Sequence, residues 1–318
     1  MALRALDNTL PMASAERPKK LPKLSAAAAA VVPAASPEGK RKKNDENSAP
    51  KATTEQAVEY VRSEDLQPVP HPKAKAAGLV AELDSKDWIR ACDALNDARR
   101  LAIHHPSLLN PILSGKVMLA IVKTMKSPRS AVCKTSIMAC TDVFDSFGNL
   151  LSSASDDAFD KLLLQLLLKA SQDKRFVAEE AEKAMRAMAA SMPPLPLLRK
   201  LKAYVHHANL RVRAKAAVAM SQCASRMDVA TMKEFGMSAM LQVAAELLSD
   251  RLPEAREAAR GMVNSMHAAF SKEAAAAREE EEGAAAAAAA SWESLCALSL
   301  PPISAQSVSK IVSQSQSQ

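Results

Sequence analysis

Apolar residues recur at every third or fourth position over most of the interval from residue 75 to residue 272. The stripes include Ile89, Cys92, Leu95, Ala98 and Ala102; Leu113, Val117, Ala120 and Ile121; Leu162, Leu163, Leu166 and Leu167; Ala181, Ala184, Met185 and Met188; Leu197, Leu198, Leu201 and Val205; and Ala214, Ala217 and Met220. Because this spacing places apolar side chains on one face of an α-helix, the interval is predicted to form consecutive amphipathic helices.

Polar breaks of similar composition interrupt these stripes at a regular step. They are SKDW at residue 85, SPRS at 127, SQDKR at 171, HANLR at 207 and SDRLPEAR at 249, so the steps are 42, 44, 36 and 42 residues. A period of about 40–47 residues is typical of HEAT and armadillo repeats, in which helical pairs stack on one another. We therefore predict an all-α fold: a right-handed α-solenoid of about five helical pairs, or six if its ends are divided differently.

The sequence outside this interval has a different composition. Residues 1–74 are rich in Pro, Ala, Ser and Lys, with a basic cluster at residues 40–43, and are expected to form a disordered tail. Residues 273–318 begin with an Ala- and Glu-rich stretch of low complexity and end with an amphipathic patch around Trp292, Leu295 and Leu298. That patch is expected to dock either back on the domain or onto another protein.

Composition favours helices and narrows the class of function. The 318 residues include only 7 Gly and 3% aromatic residues, whereas 48% are hydrophobic, and this mixture disfavours sheets and glycine loops that cradle phosphates. We recognise no metal-ligand spacing, nucleotide-binding motif or secretory signal, and no apolar run long enough to cross a bilayer. The 5 Cys have no paired spacing and are expected to be reduced and buried. We therefore expect no enzyme activity, cofactor, metal, small-molecule substrate or membrane partner.

The charge of the chain indicates an acidic partner. The formal net charge is +7, and residues 75–272 alone contain 28 Lys and Arg against 20 Asp and Glu, a balance of +8. Many of these cations lie at the break within a helical pair, where a stacked solenoid aligns its turns along one edge. The aligned turns predict a basic ridge with a Trp at one end, which suits an acidic protein surface. The candidate contact residues are Lys86, Trp88 and Arg90; Arg129, Ser130 and Lys134; Lys174 and Arg175; Asn209, Arg211 and Arg213; and Arg251.

Two interpretations stay open at this point. Trp88 follows Asp87, a residue type that caps helix starts, and is either displayed at the end of the ridge or packed beneath the first repeat. Arg213 and Arg256 lie either on the ridge surface or in ion pairs between neighbouring repeats.

The five breaks resemble, in order, the turns of TOG domains, the tubulin-binding HEAT-like arrays of the CLASP and related families. DSKDWIRACDAL is similar to the first repeat of that family, SPRSAVCKTSI to its R-S-x-V-x-[KR] turn, and DKRFVAEEAEKAM to the basic turn that follows. HANLRVRAKAA and LLSDRLPEAREAAR are similar to the last two turns. The ordered set covers nearly the whole interval and looks like a single TOG domain of the kind found in plant armadillo-like proteins and TOG-array proteins. The chain departs from the family pattern at Ala91, Ser127 and Ala208, where the family has Arg, an acidic residue and Lys.

The resemblance implies a non-enzymatic tubulin- or microtubule-binding module that regulates microtubule dynamics or organisation. Trp88 would contact one tubulin subunit and the later basic turns the acidic surface of the other, so that binding favours one tubulin curvature or lattice state. Other cytoskeletal proteins are further candidate partners. The expected location is the cytoplasm, on the cytoskeleton, with a nuclear pool as an alternative.

Two rival interpretations use the same residues differently. A HEAT or armadillo scaffold would bind a protein partner through its concave helix face rather than through the turns. Nucleic-acid binding through the basic ridge ranks lower, because the interval offers few aromatic side chains on which bases could stack.

Overall fold

The computed structural model describes residues 60–151, 157–280 and 291–316. These residues form helices joined by short turns, and no strand occurs among them. Residues 1–59, which contain most of the predicted N-terminal tail and its basic cluster, lie outside the described part of the chain, as do most residues of the Ala- and Glu-rich stretch at 281–290.

Five helical pairs stack along the described chain, which confirms the predicted α-solenoid. The helices are α1 (Pro72–Leu83), α2 (Trp88–His104), α3 (Pro106–Ile112), α4 (Met118–Met125), α5 (Ser130–Leu151), α6 (Asp157–Ala170), α7 (Arg175–Ser191), α8 (Pro194–Lys202), α9 (Leu210–Ala224), α10 (Val229–Phe235), α11 (Met237–Leu248), α12 (Pro253–Glu280), α13 (Trp292–Ser299) and α14 (Pro302–Gln316). The pairs are α1/α2, α3–α4/α5, α6/α7, α8/α9 and α10–α11/α12. The second helices, α2, α5, α7, α9 and α12, also pack on one another in that order and form what we call the second-helix layer.

The predicted apolar stripes supply the core of the stack. Leu95, Ile137 and Leu166, for example, are completely buried. All five Cys are buried as well, which confirms their role as small apolar side chains. Burial raises the pKa of Cys223 to about 12 and that of Cys296 to about 11, so these thiols stay protonated at neutral pH.

Four of the five turns within the pairs are closed by the same local hydrogen bond. In each, a side-chain oxygen accepts the backbone N–H two residues further on. At Asp87 and Asn209 this bond also caps the following helix, whereas at Ser127 and Asp250 it closes the turn just before the helix. The acceptor and donor are Asp87 and Ile89 (2.9 Å), Ser127 and Arg129 (3.2 Å), Asn209 and Arg211 (2.9 Å), and Asp250 and Leu252 (2.9 Å). At the second turn a Ser hydroxyl closes the turn, at the position where the family pattern has an acidic residue.

An N-terminal strap, residues 60–69, lies against the second helices of the first two pairs. The buried Arg99 guanidinium on α2 donates to the carbonyl oxygen of Val61 at 2.8 Å, and His104 Nε2 lies 2.7 Å from the carbonyl oxygen of Leu66. The Leu66 side chain is buried. Residues 60–74, which composition assigned to the tail, therefore belong to the folded unit, because the strap supplies hydrogen-bond acceptors to Arg99 and His104 of α2 and because α1 begins at Pro72.

A C-terminal cap, formed by α13 and α14, covers the last helical pair. Trp292 is only 5% exposed, and its ring centroid lies 5.2 Å from that of His267 and 5.8 Å from that of Phe270, both on α12. The Gln242 amide on α11 donates to the carbonyl oxygen of Ser299 at 3.3 Å. Of the two sequence-based alternatives for this segment, docking back on the domain is the one observed.

The N-terminal end of the stack is hydrophilic. An open groove between α1 and α2 is lined by charged residues that include Lys75, Glu82, Arg90 and Asp93. Lys75 Nζ lies 3.2 Å from the Glu82 carboxylate and 2.9 Å from that of Asp97. The two ends of the solenoid thus differ: charged side chains line a groove at one end, and the C-terminal cap covers the other.

Neither a straight membrane-spanning helix nor a cluster of metal ligands occurs among the described residues. No single helix among them is long and apolar enough to cross a membrane, although Pro106–Ile112 and Gly115–Met125 together form one bent pair that meets the test of length and composition. No three His, Cys, Asp or Glu side chains in this part of the chain gather as the ligands of a metal ion would.

Gly148→Ala is expected to lower the free energy of unfolding by about 1–3 kcal/mol, because it forces two closely crossing helices apart. A Cβ at this position of α5 would lie 2.7 Å from the backbone carbonyl carbon of Ser191 on α7, which no rotamer change relieves. The better helix propensity of Ala, about 1 kcal/mol, offsets only part of this cost. Urea unfolding followed by circular dichroism measures the change.

Gly261→Ala provides the matched control for that prediction. A Cβ there would meet the hydroxyl oxygen of Ser221 at 2.5 Å, and its next contact is 3.9 Å away. Because a hydroxyl can rotate away, we expect this variant to stay within about 1 kcal/mol of the wild type. Equal losses in the two variants would contradict the close crossing of α5 and α7.

Candidate protein-binding ridge

The turns within the five pairs lie side by side along one edge of the solenoid. They comprise residues 84–87, 126–129, 171–174, 203–209 and 249–252, each together with the first turn of the second helix that follows. We call this edge the turn ridge and number its turns from one to five.

Side-chain contacts join the first three turns of the ridge. The Arg129 guanidinium of turn two lies over the Trp88 ring of turn one, 5.0 Å from the ring centroid. Lys174 Nζ of turn three donates to the Ser130 hydroxyl at 2.6 Å. A cation from each later turn therefore reaches back to the turn before it.

Ion pairs join the remaining turns. Arg211 of turn four pairs with the Asp173 carboxylate of turn three. Arg213 Nε lies 3.0 Å from Asp250 Oδ2 of turn five. Contacts thus run without interruption from the first turn to the fifth, as expected for turns that align along one edge.

Trp88 occupies a position between the two alternatives left open by the sequence. Its side chain is half-buried and packs against the core of the first repeat. The Arg129 guanidinium lies over the ring. A cation over the face of an indole contributes about 0.5–1 kcal/mol at exposed sites. Trp88 is therefore neither fully displayed nor fully buried. Part of its ring packs against the domain, and only the remaining part is exposed to solvent.

Most of the candidate contact residues reach the surface of the ridge. Lys134 does not join it: its Nζ lies 4.5 Å from the Tyr60 ring centroid of the strap and 3.6 Å from the Glu180 carboxylate, within the second-helix layer. Lys86, Arg90, Arg129, Lys174, Arg175, Asn209, Arg211 and Arg251 are exposed, and Trp88, Ser130, Lys134 and Arg213 are half-buried.

The ridge cations differ in whether an internal carboxylate neutralises them. Arg213 and Arg256, whose roles were open, both make contacts inside the domain: Arg213 pairs with Asp250, and Arg256 donates to the carbonyl oxygens of Asp250 at 2.8 Å and Arg251 at 2.9 Å. Arg175 and Arg211 also have carboxylate partners. Among the described residues, Lys86, Arg129, Lys174 and Arg251 form no ion pair and keep their charge available to a partner.

Two apolar side chains on the ridge are exposed. The sequence placed Ile89 in the first apolar stripe, which is wrong because Ile89 lies in the first turn of α2 at the ridge surface, and the sequence did not single out Phe176. Ile89 in turn one is 37% exposed, and Phe176 in turn three is 40% exposed. Phe176 directly precedes Val177, which lies on the apolar stripe of α7. Phe176 itself has no apolar neighbour three or four positions away in the sequence, and this was the available sign that it lies outside the core. A bulky apolar residue outside the helical stripe is a candidate for external contact.

Charges on the second-helix layer are arranged differently, since they pair with one another. Lys215 on α9 lies 2.7 Å from Glu182 on α7 and 2.6 Å from Glu254 on α12. Burial alone would lower the pKa of Lys215, but hydrogen bonds to the two carboxylates outweigh it, so the pKa is raised above its usual value. This layer therefore offers fewer unpaired cations than the ridge, and the strap occupies its first two pairs.

The family and the relative that match this chain agree with each other. The family described as CLASP N terminal matches residues 105–285. TOG array regulator of axonemal microtubules protein 1 from Mus musculus is 26% identical over 220 residues, which are 67% of this chain and 12% of that protein. The chain therefore spans about an eighth of the length of this relative.

Solved structures agree on the fold. The TOG domain of C. elegans Zyg9 superposes with a TM-score of 0.54 at 14% identity, covering 80% of this chain and 91% of that one. A chain from the structures of microtubule plus-end tracking by XMAP215, CLIP-170 and EB1 superposes with a TM-score of 0.54, also at 14% identity, covering 78% and 94%. At this identity the similarity establishes the helical-repeat fold.

Proposed function

The chain belongs to the CLASP N-terminal family and contains a TOG domain, and from this premise we propose that it is a non-enzymatic module that binds tubulin or microtubules through the turn ridge. A relative named as a regulator of axonemal microtubules supports this choice of partner. The module acts by binding alone, because a protein that prefers one state of its partner shifts the population toward that state. Association with the cytoskeleton and an influence on microtubule dynamics or organisation follow from this proposal.

The observation that carries the proposal is the unbroken ridge with its unpaired cations. Lys86, Arg129 and Lys174 lie on three consecutive turns, are exposed, and have no carboxylate partner among the described residues. Cations held at fixed spacing on a rigid scaffold favour an acidic protein surface by long-range attraction and by complementarity at contact. The half-buried Trp88 at the same end adds an apolar contact to this set of charges.

A scaffold that binds a protein through the second-helix layer is the rival function. Its weakness is that Lys134 and Lys215, the half-buried cations of that layer, already pair with Glu180, Glu182 and Glu254. Exposed cations such as Lys183 and Arg186 on α7 remain available there, so the rival is tested directly in the experiment below.

Trp88→Ala combined with Arg129→Ala is expected to weaken binding to tubulin by about 10- to 100-fold, since it removes an aromatic contact and the cation stacked on it. Size-exclusion chromatography of the full chain with unpolymerised tubulin and co-pelleting with microtubules measure the two forms of the partner separately. Because Trp88 also packs against the core of the first repeat, we expect the variant to lose some stability but to keep its helical content, which circular dichroism and thermal unfolding check.

Lys183→Ala combined with Arg186→Ala is the matched control, because it removes two exposed cations from the second-helix layer and none from the ridge. We expect it to bind tubulin as the wild type does. If this control loses binding while the ridge variant retains it, the second-helix layer carries the function. If the wild type binds neither tubulin nor microtubules, the proposed function is wrong.

A further inference from the structure

Phe176 is the most exposed Phe of the chain, and all six Phe lie in the described part. Phe144, Phe147 and Phe159 are buried, and Phe235 and Phe270 are half-buried, whereas Phe176 is 40% exposed. Phe176 is the second residue of α7 and sits at the surface of turn three. A partner that covers a partly exposed aromatic side chain gains free energy from removing its apolar surface from water.

The neighbours of Phe176 connect it to Trp88 through two cations. Lys174 Nζ lies 5.6 Å from the Phe176 ring centroid and also donates to the Ser130 hydroxyl at 2.6 Å. Arg129, the residue before Ser130, lies over Trp88. Trp88, Arg129, Lys174 and Phe176 therefore form a continuous set across turns one to three, which we call the aromatic–cation row.

The aromatic–cation row differs from the rest of the ridge in its balance of charge. Neither Arg129 nor Lys174 has a carboxylate partner in residues 60–151, 157–280 and 291–316. In turn four, by contrast, Arg211 and Arg213 are paired with Asp173 and Asp250. An acidic partner would have to displace those internal carboxylates, so its attraction to turn four is reduced relative to its attraction to the row.

We propose that Phe176 is a second aromatic anchor for tubulin and that the aromatic–cation row, rather than the whole ridge, carries the contact. The inference rests on the proposed tubulin-binding function. It adds two details: the part of the ridge that the partner contacts and the chemistry of the partner's surface. A cation lies near each ring, Arg129 at Trp88 and Lys174 at Phe176, but Phe176 is exposed whereas Trp88 is half-buried, so Phe176 offers the larger free apolar surface. The matching surface on the partner combines acidic groups with two apolar depressions that receive the rings.

Phe176→Ala is expected to weaken tubulin binding by about tenfold or more, because covering the exposed two-fifths of a Phe ring corresponds to about ten- to fiftyfold in the dissociation constant. Titration of the full chain with labelled, unpolymerised tubulin measures the constant. Phe176→Tyr keeps the ring and is expected to stay within about threefold of the wild type. Thermal unfolding of each variant establishes that the fold is intact.

Leu119→Ala is the matched control, since Leu119 is also 40% exposed but lies on α4, away from the turns. We expect it to change the dissociation constant by less than about twofold. Arg211→Ala in turn four is expected to weaken binding less than Phe176→Ala does, because Arg211 is already paired with Asp173. If Phe176→Ala binds as the wild type does while Trp88→Ala with Arg129→Ala is impaired, the inference is wrong and the proposed function stands. If Arg211→Ala costs as much as Phe176→Ala, the contact extends beyond the row and the inference is also wrong. Absence of any tubulin binding by the wild type overturns both.

Discussion

Asp142→Ala is expected to lower the free energy of unfolding by about 3–5 kcal/mol, because it leaves a buried guanidinium without its counter-charge. Arg99 is completely buried and Asp142 is 3% exposed, and Arg99 Nε lies 2.6 Å from Asp142 Oδ2. The pair joins α2 to α5 across the first two helical pairs. Breaking such a pair costs much more than an exposed ion pair contributes, since the remaining charge stays buried unless the structure around it opens.

The same substitution is expected to loosen the N-terminal strap. Besides Asp142, the Arg99 guanidinium donates to the Val61 carbonyl at 2.8 Å, to the Ser63 hydroxyl at 3.3 Å and to Asn96 Oδ1 at 3.0 Å. An Arg99 side chain that seeks water in the variant must leave these acceptors. We therefore expect faster amide exchange in residues 61–69 as well as lower global stability.

Urea unfolding and hydrogen exchange measure the two effects. The control is the double variant Arg99→Met with Asp142→Leu, which replaces the pair by apolar side chains and is expected to recover most of the lost stability. In that variant the strap still lacks its guanidinium donor, so exchange in residues 61–69 should stay fast. A loss below about 1 kcal/mol in Asp142→Ala would show that the pair is solvated.

Trp292→Ala is expected to cost about 3–5 kcal/mol in the stability of the C-terminal cap, because it empties the site that holds α13 on α12. The indole lies edge-on to His267 and Phe270 at ring-centroid distances of 5.2 and 5.8 Å. Its N–H group has no hydrogen-bond partner among the described residues. The expected loss therefore comes from packing, and none of it from a broken hydrogen bond.

Trp292→Phe separates the contribution of aromatic packing from that of the indole N–H group. It keeps an aromatic ring and removes an N–H group that has no partner, so we expect it to cost far less than Trp292→Ala. Limited proteolysis with mass analysis should show faster cleavage within residues 291–316 for Trp292→Ala only. If cleavage in this segment is equally slow in the wild type and in Trp292→Ala, the cap is held by other contacts.

The repeat architecture was predictable from the sequence because it depends on local periodicity. The stripes of α6 and α7 lie where the 3.6-residue pattern puts them, and the break between these helices contains the polar residues that end one helix and start the next. The capping residue Asp87 was visible for the same reason, since its hydrogen bond spans only two residues.

Contacts between distant segments could not be predicted in this way. Arg99 and Asp142 are 43 residues apart, and nothing near either residue in the sequence shows that it is buried and paired. The pairing of Arg211 with Asp173 is similar: a basic turn looks equally charged in the sequence whether or not the previous turn supplies a carboxylate. The placement of residues 60–69 and 291–316 depends on surfaces that form only after the repeats have stacked.

The closed ends of the solenoid limit how it can be extended. A repeat stack grows when the next helical pair lays its apolar side on the last one. Here α13 and α14 already cover α11 and α12, and the other end presents Lys75, Glu82 and Asp93. A further helical pair would therefore meet the C-terminal cap at one end and these charged side chains at the other. In a longer protein, several such units would be joined by linkers. The length and stiffness of these linkers, rather than a superhelical pitch, would determine how many units bind one filament at once.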